Sequence, residues 1–388
     1  MSALSSVVER AWTGSRISSE EAVLLHREAG LPLLATLADE IRRRKHPDGV
    51  VTYIIDRNLN PTNVCVTDCG FCAFYAKPGD EAKAWLLDRE SIYAKVQETV
   101  DVGGVQILMQ GGHHPELGVE WFEELLSDLK RKWPDLHLHA MSPPEIEHLS
   151  RVSKIPTLEV LERLQASGMD SMPGGGAEIL VDRVRKLIAP RKTKTADWLR
   201  IMEEAHSLGM RTTATMMFGH VETVEERIQH LALLRDLQDR TGGFTAFIDW
   251  TFQPGENPLG DKLLAEGWRK ATHVEYLRTT AVARIFLDNF DNLQASFVTQ
   301  GAETAAISLR MGVNDFGSAM LEENVVSAAG CSELVPLQDM ETRIREAGFT
   351  PRQRNQRYDI IDSRGPVVAG TEVREEGRAT QPAVPSGR

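Results

Sequence analysis

From residue 50 onward the chain repeats one pattern: a short run rich in β-branched and apolar residues, then a longer stretch with helical spacing. Runs of the first kind fall at 50–55, 105–109, 136–141, 170–172, 212–217, 246–252 and 293–298. A further extended stretch leads into Asn63, and a weak run lies at 313–316. Helix-like stretches separate them, at 91–102, 119–133, 144–153, 157–167, 179–187, 196–208, 224–240 and 273–289. Such alternation builds a parallel sheet, because each helix carries the chain back to the start of the next strand. Gly103-Gly104, Gly168, Gly209 and Gly242-Gly243 stand where helices end before strands. The expectation is an α/β fold: a (β/α) TIM-type barrel, full or partial.

The flanks read differently. Residues 1–48 form an N-terminal helical extension, with Ser18-Ser19-Glu20-Glu21 as a helix start. The barrel takes 49–330, a C-terminal extension packed on it takes 331–369, and 370–388 is a disordered tail. The tail has Pro, Gly, Ser and charge but too few large apolar residues to offset its ordering entropy. The net charge of −12 and the lack of a basic stripe argue against nucleic-acid binding. Arg42 to Lys45 are the solvated end of a helix, where cations suit the dipole. No apolar run approaches the roughly 20 residues of a membrane span, and Met1 to Glu9 do not read as a secretory signal. Three of the four cysteines lie within eight residues, unlike a secreted disulfide scaffold. That clustering implies a cytoplasmic protein whose thiols serve metal or catalysis.

In a β/α barrel the chemistry sits on the loops that follow the strands. The polar, glycine-rich segments of this chain occur there: Cys65–Cys72, Gln110–His114, Ser142–Glu145, Gly174–Glu178, Gly219–Glu222 and Gln253–Asn257. The run Cys65-Val66-Thr67-Asp68-Cys69-Gly70-Phe71-Cys72 spaces three thiols as C-x3-C-x2-C. Three soft ligands on a short loop suit an iron–sulfur cubane with one iron left open for a ligand. A zinc site lacking its fourth ligand and three core thiols are the competing readings. Cys331 stands alone and reads as a small core residue.

The cysteine triad, with Phe71 before its third member, resembles the signature of the radical S-adenosylmethionine (SAM) superfamily. Residues 50–330 further resemble its menaquinone (futalosine pathway) group, nearer to the cyclase branch than to the sister synthase branch. The carrying segments are YIIDRNLNPTNVCVTDCGFC at 53–72, QILMQGGHHP at 106–115 and AMSPPEI at 140–146. They continue with DSMPGGGAEIL at 170–180, TTATMMFGH at 212–220 and LQDRTGGFTAFIDWTFQP at 237–254. The resemblance implies a [4Fe-4S] cluster on Cys65, Cys69 and Cys72, with SAM as cosubstrate. It implies a 5′-deoxyadenosyl radical that takes the C4′ hydrogen of a nucleoside-derived substrate's ribose. The sugar radical would then add to a benzoate ring, which loses an electron and a proton to become aromatic again. A reductase with flavodoxin, or a ferredoxin, would supply the electron.

Further residues gain expected roles from the same loops. Gly111 and Gly112 let backbone approach a ligand and offer N–H groups to a carboxylate. The related proteins follow such glycines with an acid for the SAM ammonium; here Gln110 precedes and His113 follows. Ser142, Glu178 and Tyr75 are expected at SAM, although Ser142 could cap a helix and Glu178 could be a first-turn acid. His220, Glu222 and His113 are the expected proton-transfer groups, with His114 as a rival. Arg183, Arg185 and Arg191 lie near enough to meet the benzoate carboxylate or sit on a solvated helix face. Trp250 and Phe252 could wall an aromatic ring, and Met109, Met141, Met216 and Met217 could line the pocket.

Overall fold

The computed structural model describes residues 2–331 and 335–361. Ten parallel strands form one sheet: β1 (Val50–Ile54), β2 (Asp56–Leu59), β3 (Gln106–Met109), β4 (His137–Ala140), β5 (Ser171–Met172), β6 (Arg211–Phe218), β7 (Phe244–Thr251), β8 (Asn292–Gln294), β9 (Asp315–Ser318) and β10 (Thr350–Gln353). Helices connect consecutive strands from β2 to β8 and pack outside the sheet, giving the expected β/α barrel.

The barrel closes on a single segment. β1 and β2 are halves of one extended run interrupted at Ile55. On one side Thr52 pairs with Asp315 and Ile54 with Ser318. Beyond β9 the ladder continues, with Ala319 N donating to Ile54 O (2.7 Å) and Leu321 N to Asp56 O (3.1 Å). On the other side β2 pairs with β3 from Asp56 to Leu59. Eight staves therefore complete the ring, counting β1 and β2 as one. The weakest-looking run, near 313–316, is the stave that completes it, as β9.

β10 lies outside the ring against β1, with Val50 opposite Thr350. It follows the helix Leu337–Glu346 and leads Arg354 into the foot of the barrel. There Arg354 Nη2 meets Asp315 Oδ1 at 3.0 Å, both residues are buried, and Tyr358 stacks on the guanidinium. At the other end of the chain, the helix Ser19–Glu28 begins with a reciprocal cap: Glu21 N donates to Ser18 Oγ and Ser18 N to Glu21 Oε2. Among the described residues no helix is long and apolar enough to cross a membrane. The expected tail, 370–388, lies outside the described residues.

Candidate active site

A cavity of about 270 Å³ opens at the C-terminal ends of the strands. The loops after β2, β3, β4, β5, β7, β8 and β9 contribute to its wall, and β6 contributes Met217, so residues far apart in sequence meet there. Four non-glycine residues on these loops, Asp68, Met141, Glu178 and Glu256, have left-handed backbone, with φ of 53°, 59°, 41° and 50°. Such strain persists where the surrounding structure fixes the chain, a feature that clusters at functional sites.

Cys65, Cys69 and Cys72 share the cavity wall and form no disulfide. Burial pushes the Cys69 thiol up to about 12 and raises Cys72 as well. Such thiols stay protonated in neutral solution unless a metal's positive charge draws the proton off. Among the described residues no three Cys, His, Asp or Glu side chains converge tightly enough for a single ion. Three thiols on one cavity wall are the soft ligand set that an iron–sulfur cluster takes.

The loop carrying the thiols is tied down by backbone. Cys65 N donates to Ala76 O (2.9 Å), Val66 N to His113 O (3.1 Å) and Gly70 N to Ile188 O (2.8 Å). Gly112 packs so closely beneath it that a Cβ would lie 2.2 Å from Val64 O. This close approach explains the glycine better than ligand contact does. The amides expected to receive a ligand carboxylate are already engaged: Gly112 N donates to Thr62 O (2.8 Å), and Gly111 N to Glu145 Oε1 (2.9 Å).

Glu145 is the acid that the glycine turn itself lacks. It stands in the first turn of the helix that follows β4, lines the cavity, and accepts from Gly111 N, Ser142 N (2.7 Å) and Ser142 Oγ (2.5 Å). Burial raises its pKa, and among the described residues no cation touches it; Lys192 acts on it only through space. A buried carboxylate facing a cavity with donors but no counter-charge is electrostatically incomplete. Ser142 thus does double duty, opening the helix Pro143–Ser153 and orienting Glu145.

Glu178 does not open a helix. The next helix starts at Asp182, and Glu178 holds a left-handed conformation with its carbonyl accepting from Met217 N (3.0 Å). Its carboxylate faces Lys192 Nζ at 2.9 Å on the cavity wall. Burial pulls the Lys192 ammonium down, but Glu178 and Cys69 outweigh it and raise the net value. Lys192 also lies 5.1 Å from the centre of the Phe71 ring. It is the one Lys or Arg lining the cavity among the described residues.

None of the expected arginines reaches the cavity. Arg183 pairs with Glu226 at the surface (2.5 Å). Arg185 is buried and donates to carbonyls of Gly176, Ala177 and Thr193, holding the glycine-rich loop in shape. Arg191 is 68% exposed and lies 4.0 Å from Asp68.

The structure also separates the expected proton-transfer groups. His113 lines the cavity, and its Nδ1 meets Thr67 Oγ1 at 2.6 Å while its ring stacks on His148. Burial holds it well below the ordinary histidine range, so it is neutral. His220 and Glu222 lie outside the cavity wall. His220 Nε2 faces Met217 O (3.0 Å) and Nδ1 accepts from Val221 N (2.8 Å), so both ring nitrogens are taken. Glu222 accepts from Gly219 N, His220 N and Arg227 Nε. These two residues shape the loop after β6 and do not face the cavity. His114 is also off this wall, its Nδ1 accepting from Glu116 N.

Tyr75, Trp250, Phe252, Phe71 and Phe74 supply the aromatic wall, and Tyr75 OH donates to Asp68. Of the four methionines only Met217 reaches the surface of the cavity. The segment after β9 covers the mouth with Val325, Val326 and Ala329. Cys331 is not a core residue: it is half-buried at the rim, with its thiol donating to Gln253 Oε1 (3.1 Å).

Solved structures share this barrel. The FeFe-hydrogenase maturase HydG from Carboxydothermus hydrogenoformans superposes with a TM-score of 0.70 at 17% identity, covering 92% of this chain and 80% of that one. Methylornithine synthase (PylB) gives 0.68 at 17% identity, covering 89% and 97%. At that identity the likeness concerns the fold. In sequence, the radical SAM superfamily matches residues 59–234, and the CofH/MqnC C-terminal region matches 241–366. The chain belongs to the radical SAM superfamily, in the branch that carries the CofH/MqnC C-terminal region. Within it, the chain is 48% identical over 360 residues to the cyclic dehypoxanthine futalosine synthase of Streptomyces coelicolor, covering 92% of this chain and 89% of that protein. The synthase of the same name from Halalkalibacterium halodurans is 44% identical, with 92% and 94% covered. A 5-amino-6-(D-ribitylamino)uracil–L-tyrosine 4-hydroxyphenyl transferase of Methanosarcina acetivorans is 41% identical, with 92% and 94% covered.

Proposed function

We propose that this chain is a radical SAM cyclase that converts dehypoxanthine futalosine to its cyclic product in menaquinone biosynthesis. The observation that carries the reading is one cavity in which three free thiols face aromatic walls, in a chain 48% identical to such a synthase over 360 residues. Cys65, Cys69 and Cys72 would hold a [4Fe-4S] cluster. With SAM bound, that group supplies a 5′-deoxyadenosyl radical able to take hydrogen from an unactivated carbon.

The protein's own residues do the rest. Glu145, buried beside Gly111, provides the counter-charge for the SAM ammonium. Lys192, held by Glu178, provides a cation for a ligand carboxylate. Tyr75 stands against the adenine. Trp250 and Phe252 flank the substrate's ring, and the side-chain amide of Gln110 offers donors to its hydroxyls. Val325, Val326 and Ala329 exclude water and competing C–H bonds from the radical's reach. His113, on the wall, is the group assigned to the proton released as the ring regains aromaticity. The ligand is a small nucleoside-derived molecule, and an external one-electron carrier, a flavodoxin or a ferredoxin, completes the reaction.

Substrate deuterated at the ribose C4′ tests the assignment. Deuterium should appear in the 5′-deoxyadenosine released. Unlabelled 5′-deoxyadenosine beside cyclised product would place the abstraction elsewhere.

A further inference from the structure

We propose that Thr67 and His113 are positioning residues for electron uptake: together they hold the Thr67 amide on the sulfur of Cys65 and so raise the reduction potential of the cluster which that thiol would carry. The inference rests on the radical SAM reading above and deepens it by naming what sets the poise of the site.

Thr67 N donates to Cys65 Sγ at 3.4 Å. What keeps that N–H in place comes from another loop. His113 lies 46 residues further on, after β3, and both it and Thr67 are buried. It grips the Val66-Thr67 dipeptide at two points: its carbonyl accepts from Val66 N (3.1 Å), and its ring Nδ1 meets Thr67 Oγ1 (2.6 Å). His113 is held in turn. Its ring stacks on His148, with centroids 4.9 Å and planes 22° apart, and His148 Nε2 meets His114 O at 2.8 Å. The turn before it docks directly under the cysteine loop, where Gly112 leaves no room for a Cβ beside Val64 O.

One-electron reduction of an iron–sulfur cluster adds negative charge that spreads onto its sulfurs. An N–H dipole aimed at a ligating sulfur stabilises that charge, so the electron enters more readily. Burial strengthens the effect, because little water competes for either group. The Thr67 side chain acts through its own backbone. Removing its hydroxyl leaves the N–H present but frees it to turn from the sulfur. A clamp that served only to pack the loop would affect folding or iron content and leave the potential where it was.

The test is a redox titration of the anaerobically reconstituted holoenzyme, followed by the electron paramagnetic resonance signal of the reduced cluster. Omitting SAM and substrate keeps proton transfer by His113 out of the reading. Thr67→Val removes the hydroxyl at nearly constant volume, Thr67→Ser keeps it, and His113→Phe keeps a ring against His148 without Nδ1. Thr67→Val and His113→Phe should each lower the midpoint. At the wild-type midpoint their ratio of reduced to oxidised protein should fall roughly tenfold, about 59 mV for a one-electron couple. Thr67→Ser should titrate with wild type. An unchanged or raised midpoint in Thr67→Val at full iron and sulfide content, or a Thr67→Ser shift as large as that of Thr67→Val, would overturn the proposal. If Thr67→Val takes up no iron, His113→Phe decides by the same criterion. A wild-type protein with no reducible cluster signal would instead remove the radical SAM reading beneath it.

Discussion

Glu145 is a buried carboxyl that no cation touches among the described residues, and on the proposed reading its place beside Gly111 suits it to receive a positive group. Hydrogen bonds to charged groups contribute about 1.5–3 kcal/mol, so Glu145→Gln should weaken SAM binding by roughly ten- to a hundredfold. Equilibrium binding to the reconstituted protein measures it, and an unchanged dissociation constant would take Glu145 out of the site. Glu222 makes the opposite case. Its carboxylate holds Arg227 Nε at 2.7 Å away from the cavity. Glu222→Gln leaves Arg227 with Glu275 as its remaining carboxylate and should cost about 1–3 kcal/mol of stability, with turnover per folded molecule retained. Denaturant melts alongside single-turnover assays separate the two effects. The thiols were legible because their spacing is local. Glu145 was not, because its partner Gly111 is 34 residues away and a helix-start pattern already explained it. Lys192 was overshadowed by three neighbouring arginines, which the fold spends on the surface or on backbone carbonyls.

At the scale of elements, β7 meets the helix His273–Phe286 through a buried carboxyl. Asp249 accepts from Thr280 Oγ1 at 3.0 and 3.1 Å, and burial pushes it up to about 7. Between its ordinary value near 4 and that folded value, the native state binds the proton more tightly than the unfolded chain does. Stability contributed by this group is therefore present at pH 4 and lost as pH rises through about 7, by up to about 4 kcal/mol. Asp249→Asn should remove that dependence, gaining on wild type at pH 8 and not at pH 5; parallel melts of the two proteins check it. The strand itself was legible from its apolar and aromatic run. Which face the acid takes was not, since that depends on the helix packed behind it.

Over the whole molecule, the β/α alternation announced the barrel, and closure was the part it left open. Closure depends on β1 and β2 acting as one stave with partners on both sides, and on β9, whose DFGS sequence has only one large apolar residue. Pairing partners, not local propensity, make such a segment a strand. The foot of the barrel depends on the C-terminal segment in the same way. Arg354→Met strands Asp315 in the interior and should cost about 3–5 kcal/mol, read as a lower urea midpoint.

On the proposed reading, the thiol-lined mouth cavity cleaves SAM in order to cyclise a futalosine-derived substrate. Anaerobically reconstituted protein should be given SAM, dithionite and dehypoxanthine futalosine, and in parallel 5-amino-6-(D-ribitylamino)uracil with tyrosine, with products read by mass spectrometry. The cyclic futalosine and free 5′-deoxyadenosine should form in the first mixture only. Product from the second mixture alone, or an adduct retaining the adenosyl group, would contradict the assignment.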